Sequence, residues 1–453
     1  MNKKARRTLS TTHIIMLSFL VAILLGSLLL SLPISSAEGR PVKYIDALFT
    51  ATTATCVTGL VTVTTATAWS GFGQAVILVL IQIGGLGIIT VMSGLMILLN
   101  RQMGIGDRLL IQDAFNLNTL SGLAVFIKKV LLGTFIIEGV GALLYMTVFV
   151  PQYGARGIWI SVFNSISAFC NAGMDVIGES SLCDYATNPI VNFTTCALII
   201  LGGLGYIVWW DVIRVFDKNN RSGRRLFGSL TLHSKIAITA SISLVLIGAA
   251  LIFVFEYGNV NSISSYNLFD KIQISIFQSV TTRTAGFASI PQENLSDSSA
   301  VISILLMFIG GSPVGTAGGV KTVTIVVLVA SAIATVSGRD QVSLFNRTVS
   351  GSAVSKAAAV CTMSFGITFL STVLLSLVCD APLIDILYET VSATATVGLT
   401  RGITPMLNLI GKIIIILTMY LGRVGPISLA LALNGARLKQ NIIKNPTEDI
   451  SVG

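Results

Sequence analysis

Apolar positions along this chain fall in long blocks rather than at a short period. Eight blocks, at 14–32, 72–99, 130–150, 190–213, 236–256, 300–334, 357–379 and 408–433, are long enough to cross about 30 Å of hydrocarbon as helices. Between the members of each successive pair lies a shorter segment rich in Thr, Ser and Ala: 44–59, 157–173, 268–286 and 383–398. Each of these is too short to span and ends on a glycine, which suits half-helices that dip into a membrane and return. The pattern predicts an all-α polytopic membrane protein with eight transmembrane spans and four re-entrant helices.

The short segments form a repeat. They read Phe49-Thr-Ala-Thr-Thr-Ala-Thr-Cys-Val-Thr-Gly59, Phe163-Asn-Ser-Ile-Ser-Ala-Phe-Cys-Asn-Ala-Gly173, Phe277-Gln-Ser-Val-Thr-Thr-Arg-Thr-Ala-Gly286 and Tyr388-Glu-Thr-Val-Ser-Ala-Thr-Ala-Thr-Val-Gly398. The glycines are 114, 113 and 112 residues apart. A second glycine-rich landmark follows each one: Gly84-Gly85-Leu-Gly87, Gly202-Gly203-Leu-Gly205, Gly310-Gly311-Ser-Pro313 and Gly422-Arg423-Val-Gly425-Pro426. A fixed period of this kind marks repeated structural units. The chain divides into repeats at 1–105, 106–225, 226–345 and 346–453, arranged around a pseudo-fourfold axis. The third carries an intramembrane loop at 310–321.

Composition narrows the class. Hydrophobic residues make up 53% of the 453 residues and charged ones 11%, with a mean hydropathy of +0.84. Soluble domains carry about 25% charged residues, so a soluble enzyme is excluded. The six cysteines form no CxxC pair, and His13 and His233 build no catalytic constellation. The glycine-rich runs lack a following GK[ST], so the chain holds no ATP motif. Ser35-Ser36-Ala37 resembles a cleavage site loosely, but the run before it is long enough to span.

Charge orients the spans. The N-terminus, 100–129, 211–235, 335–356 and the C-terminal tail hold 20 of the 29 Lys and Arg and 7 of the 20 Asp and Glu. Basic residues mark the cytoplasmic side, which places both termini in the cytoplasm and the half-helices on the outer side. Arg214, Lys218, Arg221, Arg224 and Arg225 belong to this side; they suit anionic lipid, a cytoplasmic partner or topology marking alone.

Four half-helix C-termini meeting on an axis present partial negative charge to a cation. Non-helical backbone at that depth must line an interior or an aqueous path, and carbonyl rings select weakly hydrated monovalent ions. The candidate filter residues are Val57, Thr58 and Gly59; Asn171, Ala172 and Gly173; Thr284, Ala285 and Gly286; and Thr396, Val397 and Gly398. None is acidic, which argues against a calcium ring. Broken helices also occur in alternating-access secondary transporters, the rival class, but those usually show inverted rather than fourfold repeats.

Val-Thr-Gly-Leu60, Asn-Ala-Gly-Met174, Arg283-Thr-Ala-Gly-Phe287 and Thr-Val-Gly-Leu-Thr400 resemble the four filters of the Trk/Ktr/HKT potassium transporters. Gly310-Gly-Ser-Pro-Val-Gly-Thr-Ala-Gly-Gly-Val-Lys321 resembles the third-repeat loop of that family, and Gly422-Arg423-Val-Gly-Pro426 its last span. The short loops are most similar to the bacterial Ktr membrane subunit. Cys56, Cys170 and Thr282 depart from the usual residues beside the filters. The resemblance implies a homodimer in the cell membrane with one pore per protomer and potassium as the transported ion. It further implies sodium stimulation and a cytoplasmic nucleotide-binding regulatory ring of the KtrA or KtrC kind. On this reading Gly310, Gly311, Ser312, Pro313, Gly315, Thr316, Gly318, Gly319 and Lys321 form a gate with Arg423.

Alternatives stand at several positions. Hydroxyls of Thr55, Thr58, Thr284 and Thr396 face either an ion or a helix carbonyl. Arg423 holds the loop or caps carbonyls at a broken helix. The glycine-rich 310–321 stretch gates, or is a kink between spans. Asp46, Asp270 and Asp385 cap half-helices or concentrate cations at the mouth. Glu138 is a charge inside an apolar span, and Arg283 braces the third filter.

Overall fold

Many leucines and isoleucines face outward here, while many serines and threonines are buried. The structure, a computed structural model, describes residues 11–99, 122–218 and 223–425, with isolated positions between 104 and 112. The basic N-terminal cluster, most of 100–121, Arg221, Pro426 and the C-terminal tail lie outside the described residues.

Each repeat opens with a long helix: Thr11–Leu30, Leu123–Tyr153, Leu232–Glu256 and Gly351–Ser376. Leu17, Leu25, Leu132, Leu246 and Phe369 on these helices are exposed. Only 22–28% of the apolar windows of the first, third and fourth is buried. Such surfaces suit hydrocarbon, not water. A short helix follows: Tyr44–Cys56, Ala155–Phe169, Leu268–Thr281 and Leu383–Ala395. These coincide with the four short segments read from the sequence. They are surrounded by protein, so Thr52, Thr53, Ser165, Ser279 and Ser392 are fully buried.

The last helix of each repeat starts from a polar cap. Ser70, Asn188, Ser296 and Asn408 accept hydrogen bonds from the backbone two or three residues ahead. These helices carry the glycine-rich landmarks read from the sequence, and the structure interrupts them at those landmarks. Gly71–Leu86 and Ile88–Leu98 meet at 98°, and Pro189–Leu204 and Tyr206–Phe216 at 92°. The hinges are Gly87 and Gly205, with φ of 83° and 90°; Gly425 ends Leu409–Val424 with φ of 88°. L side chains are strained at such angles, and glycine is not. In the third repeat, residues 309–321 separate Asp297–Phe308 from Thr322–Val336.

Three described helices are long and apolar enough to cross alone, or up to five spans if each bent pair counts as one. The sequence count of eight is therefore larger than these criteria give. The hinge glycines at 87 and 205 divide two of the apolar runs into bent pairs.

Candidate ion pathway

The four short helices end alike. Just beyond them Val57, Asn171, Thr284 and Thr396 adopt left-handed backbone with φ of 56°, 59°, 69° and 52°. Each such residue costs on the order of 1–3 kcal/mol and persists only where its surroundings impose it. Two residues later Gly59, Gly173, Gly286 and Gly398 also have positive φ.

A hydroxyl residue in each short helix imposes this path. The N–H groups of Thr58, Ala172, Ala285 and Val397 donate to the carbonyls of Thr53, Ser167, Thr281 and Ser392 at 2.8–2.9 Å. The hydroxyls close a second link. Thr53 Oγ1 accepts from Gly59 N–H (2.9 Å), Ser167 Oγ from Met174 N–H (3.1 Å) and Ser392 Oγ from Gly398 N–H (3.0 Å). Thr281 Oγ1 instead donates to Phe287 O (2.6 Å).

The glycines close a ring. A Cβ on Gly59 would lie 2.6 Å from Ala172 O, and one on Gly173 would lie 2.5 Å from Ala285 O. On Gly286 it would meet Val397 O, and on Gly398 it would meet Thr58 O, closer still. Each copy thus abuts the carbonyl of the next, in one rotational sense, and the fourth returns to the first. All twelve candidate filter residues read from the sequence fall in these four turns.

Behind the ring, one turn deeper in each short helix, sits a buried polar side chain: Thr50, Asn164, Gln278 or Glu389. Gln278 Nε2 donates to Gln292 Oε1 (2.6 Å), and Thr404 Oγ1 donates to Glu389 Oε1 (2.5 Å). Gln292 and Thr404 each lie six residues past their ring glycine, so both pairs tie the exit strand to its helix. Sequence reading missed the latch hydroxyls and these polar residues. Counting back from each glycine would have found them, since they recur at near-constant offsets.

Cavities flank the ring. One, about 290 Å³ and on the outer side in the orientation that the basic residues predict, is lined by all four ring glycines and by Asp175, Glu179 and Glu293. Burial holds the Asp175 carboxyl above the usual carboxylate range. The other, about 400 Å³ and on the inner side in that orientation, is lined by Gly85, Tyr206, Thr394, the 314–321 loop, Lys321 and Arg423.

The loop fills the space between ring and inner cavity. Gly310 N–H donates to Val320 O (3.0 Å), and Val320 N–H to Phe308 O (3.2 Å), which pinches its two ends together. Ser312 Oγ and Thr322 Oγ1 lie 3.0 Å apart. A Cβ on Gly318 would strike Thr396 Oγ1, so glycine is what permits the loop this close to the ring. Arg423 Nη1 donates to Thr316 O (2.8 Å), and its Nη2 donates to Gly84 O. The guanidinium therefore joins the first repeat, the loop and the fourth repeat. Lys321 Nζ donates to Ala317 O (2.5 Å) and Gly318 O (3.3 Å). Gly311, Pro313, Gly315 and Gly319 complete the turn.

Other candidates resolve differently. Asp46 pairs with Lys412 (2.6 Å) and Asp385 with Arg401 (2.6 Å), so these two carboxylates are spent on ion pairs. Asp270 lies in a first turn capped by Asn267. Glu138 accepts from Gln82 Nε2 at 3.1 and 3.3 Å. Arg283 reaches Ser241 O (3.4 Å) and Ser241 Oγ (3.2 Å), away from the ring. The Oγ1 atoms of Thr55, Thr58 and Thr396 have no hydrogen-bond partner among the described residues.

Four joined turns between two cavities, in a multi-pass apolar fold, define a membrane transport protein rather than an enzyme. The chain belongs to the TrkH cation transport protein family, whose model matches residues 2–439. Among its relatives, the Ktr system potassium uptake protein B of Bacillus subtilis is 38% identical, over 97% of this chain and 96% of that protein. The potassium/sodium uptake protein NtpJ of Enterococcus hirae is 37% identical, over 100% of this chain and 99% of the relative. The fold matches that of the potassium transporter TrkH from Vibrio parahaemolyticus, with a TM-score of 0.75 at 16% identity over 96% of this chain and 86% of that one.

Proposed function

We propose that this chain is the pore-forming membrane subunit of a potassium uptake system. Potassium enters from the outer cavity, exchanges water for the carbonyls of the four turns, and passes the 310–321 loop into the inner cavity. The membrane potential drives it, with sodium as a stimulating ion. The single observation that carries this reading is the closed ring, in which each glycine faces the next copy's carbonyl. Its one rotational sense favours a fourfold pore over inverted repeats with alternating access.

In this reading the short helices are re-entrant from outside, the crossings number eight with each broken helix counted as one, and both termini are cytoplasmic. The loop, held by Arg423 and Lys321, is the gate. Two copies form a dimer, and a cytoplasmic nucleotide-binding ring of the KtrA or KtrC kind sets the gate. The names of the relatives support potassium as cargo, while NtpJ makes the sodium ratio the quantity to measure.

Purified protein in liposomes with an inside-negative potential tests this. Rubidium uptake is expected, competed by potassium much better than by sodium. Uptake that no potential drives, or that sodium competes equally, overturns the proposal.

A further inference from the structure

The loop reaches the second turn of the ring through one hydroxyl. Thr316 Oγ1 donates to Phe169 O (3.0 Å), the last residue of the second short helix, and lies 3.5 Å from Asn171 Oδ1. On the other side, Asn171 Nδ2 lies 3.5 Å from Thr284 Oγ1. Asn171, Thr284 and Thr316 are each no more than 1% exposed. The equivalents of Asn171 in the other turns are Val57, Thr284 and Thr396, which carry no amide. One polar path therefore runs from the loop, through the second turn, to the third.

Backbone contacts bind the loop to the same repeat. Ser312 N–H donates to Gly203 O (2.8 Å), Thr316 N–H to Gly202 O (3.1 Å), and Tyr206 N–H to Val314 O (3.0 Å). The break at Gly205 deprives these groups of helical partners, and the loop supplies them. When the loop moves, it uncovers the break, Phe169 O and Asn171 Oδ1 together.

We propose that Asn171 and Thr316 form a latch through which the seat of the loop sets the ion discrimination of the ring. Thr316 is then a specificity-determining residue although it stands outside the ring. The inference rests on the filter and gate proposed above. With the loop seated, the Thr316 hydroxyl donates to Phe169 O and lies against the Asn171 amide oxygen, which together hold the end of the helix and a left-handed residue of the ring. With the loop displaced, Phe169 O loses its donor, the amide oxygen loses its polar neighbour, the amide turns, and the link to Thr284 opens. A carbonyl ring discriminates through the number and placement of its ligands, so this loosening lowers selectivity as flux rises.

The test is Thr316→Val, which removes the hydroxyl at nearly constant volume, with Thr316→Ser as the control that keeps it. Rubidium and sodium uptake are measured in liposomes on protein that is monodisperse by size exclusion, with Thr316→Ala used if the valine variant is not. The expected result is faster rubidium uptake and a rubidium-to-sodium ratio lowered about threefold to tenfold, the worth of one neutral hydrogen bond. Thr316→Ser keeps the parent ratio. In an Asn171→Gly background, which tolerates the left-handed angle, adding Thr316→Val still raises flux but leaves the ratio where Asn171→Gly set it. Raised flux with an unchanged ratio in Thr316→Val overturns the latch and leaves the gate standing. Unchanged flux after shortening 310–321 overturns the gate reading itself.

Discussion

At Gly59 a side chain would have to displace backbone. Its Cβ would lie 2.6 Å from Ala172 O and 3.2 Å from the Cα atoms of Gly173 and Gly398, and its φ of 102° already strains any L residue. Gly59→Ser is therefore expected to widen the ring at its first copy and to lower the potassium-to-sodium uptake ratio at least several-fold. Competition of rubidium uptake by sodium measures this; an unchanged ratio would separate the ring from selectivity. The short-helix hydroxyls of Thr53, Ser167 and Ser392 act on stability instead. Ser392→Ala removes the acceptor for the buried Gly398 N–H, at a cost of about 1–3 kcal/mol. A lower thermal unfolding midpoint in detergent, with Ser392→Thr largely restoring it, is the expected outcome.

Among the elements, the short helices and their glycine ends were legible because two constraints coincide there. The segments must be short, and their ends need positive φ. The breaks in the last helices were legible only as glycine-rich spots, because composition does not distinguish a packed glycine from a hinge. Gly84 and Gly202 lie within helices, pressed against Thr55 O and Phe169 O, whereas Gly87 and Gly205 are the bends. The partners of Arg423 were beyond sequence because they come from the first and third repeats. Gly84 is 339 residues away, and Thr316 is 107 residues away. This arginine donates both to a carbonyl beside a helix break and to a carbonyl of the loop. Arg423→Gln keeps a short donor but removes the second arm and the charge. The variant is expected to raise rubidium flux several-fold, because the loop loses a charge-assisted hydrogen bond of about 1.5–3 kcal/mol. Parent-like flux in well-folded Arg423→Gln would reduce the residue to a helix cap.

The whole molecule is polarised along the proposed path. Asp175, Glu179 and Glu293 line the outer cavity, which has no Lys or Arg among its described lining residues. Lys321 and Arg423 line the inner cavity, which has no Asp or Glu among its described lining residues. In the proposed path the carboxylates would raise the local cation concentration at the entrance. The inner cations occupy the carbonyls of Thr316, Ala317 and Gly318, which would otherwise serve a departing ion. This asymmetry has a pH signature with a definite sign. Burial raises the Asp175 carboxyl, so its charge is present above the raised value and is lost as pH falls through it, earlier than for an ordinary aspartate. Acidifying the outer solution through that raised value should then weaken cation capture and raise the potassium concentration for half-maximal uptake, with little change in the maximal rate. Asp175→Asn removes the charge at every pH. It should show the higher half-saturation already at neutral pH and little further response to acid. Initial rates against potassium concentration on either side of that value decide the matter. An Asp175→Asn variant that keeps the acid response of the parent would assign it to Glu179, Glu293 or a group elsewhere.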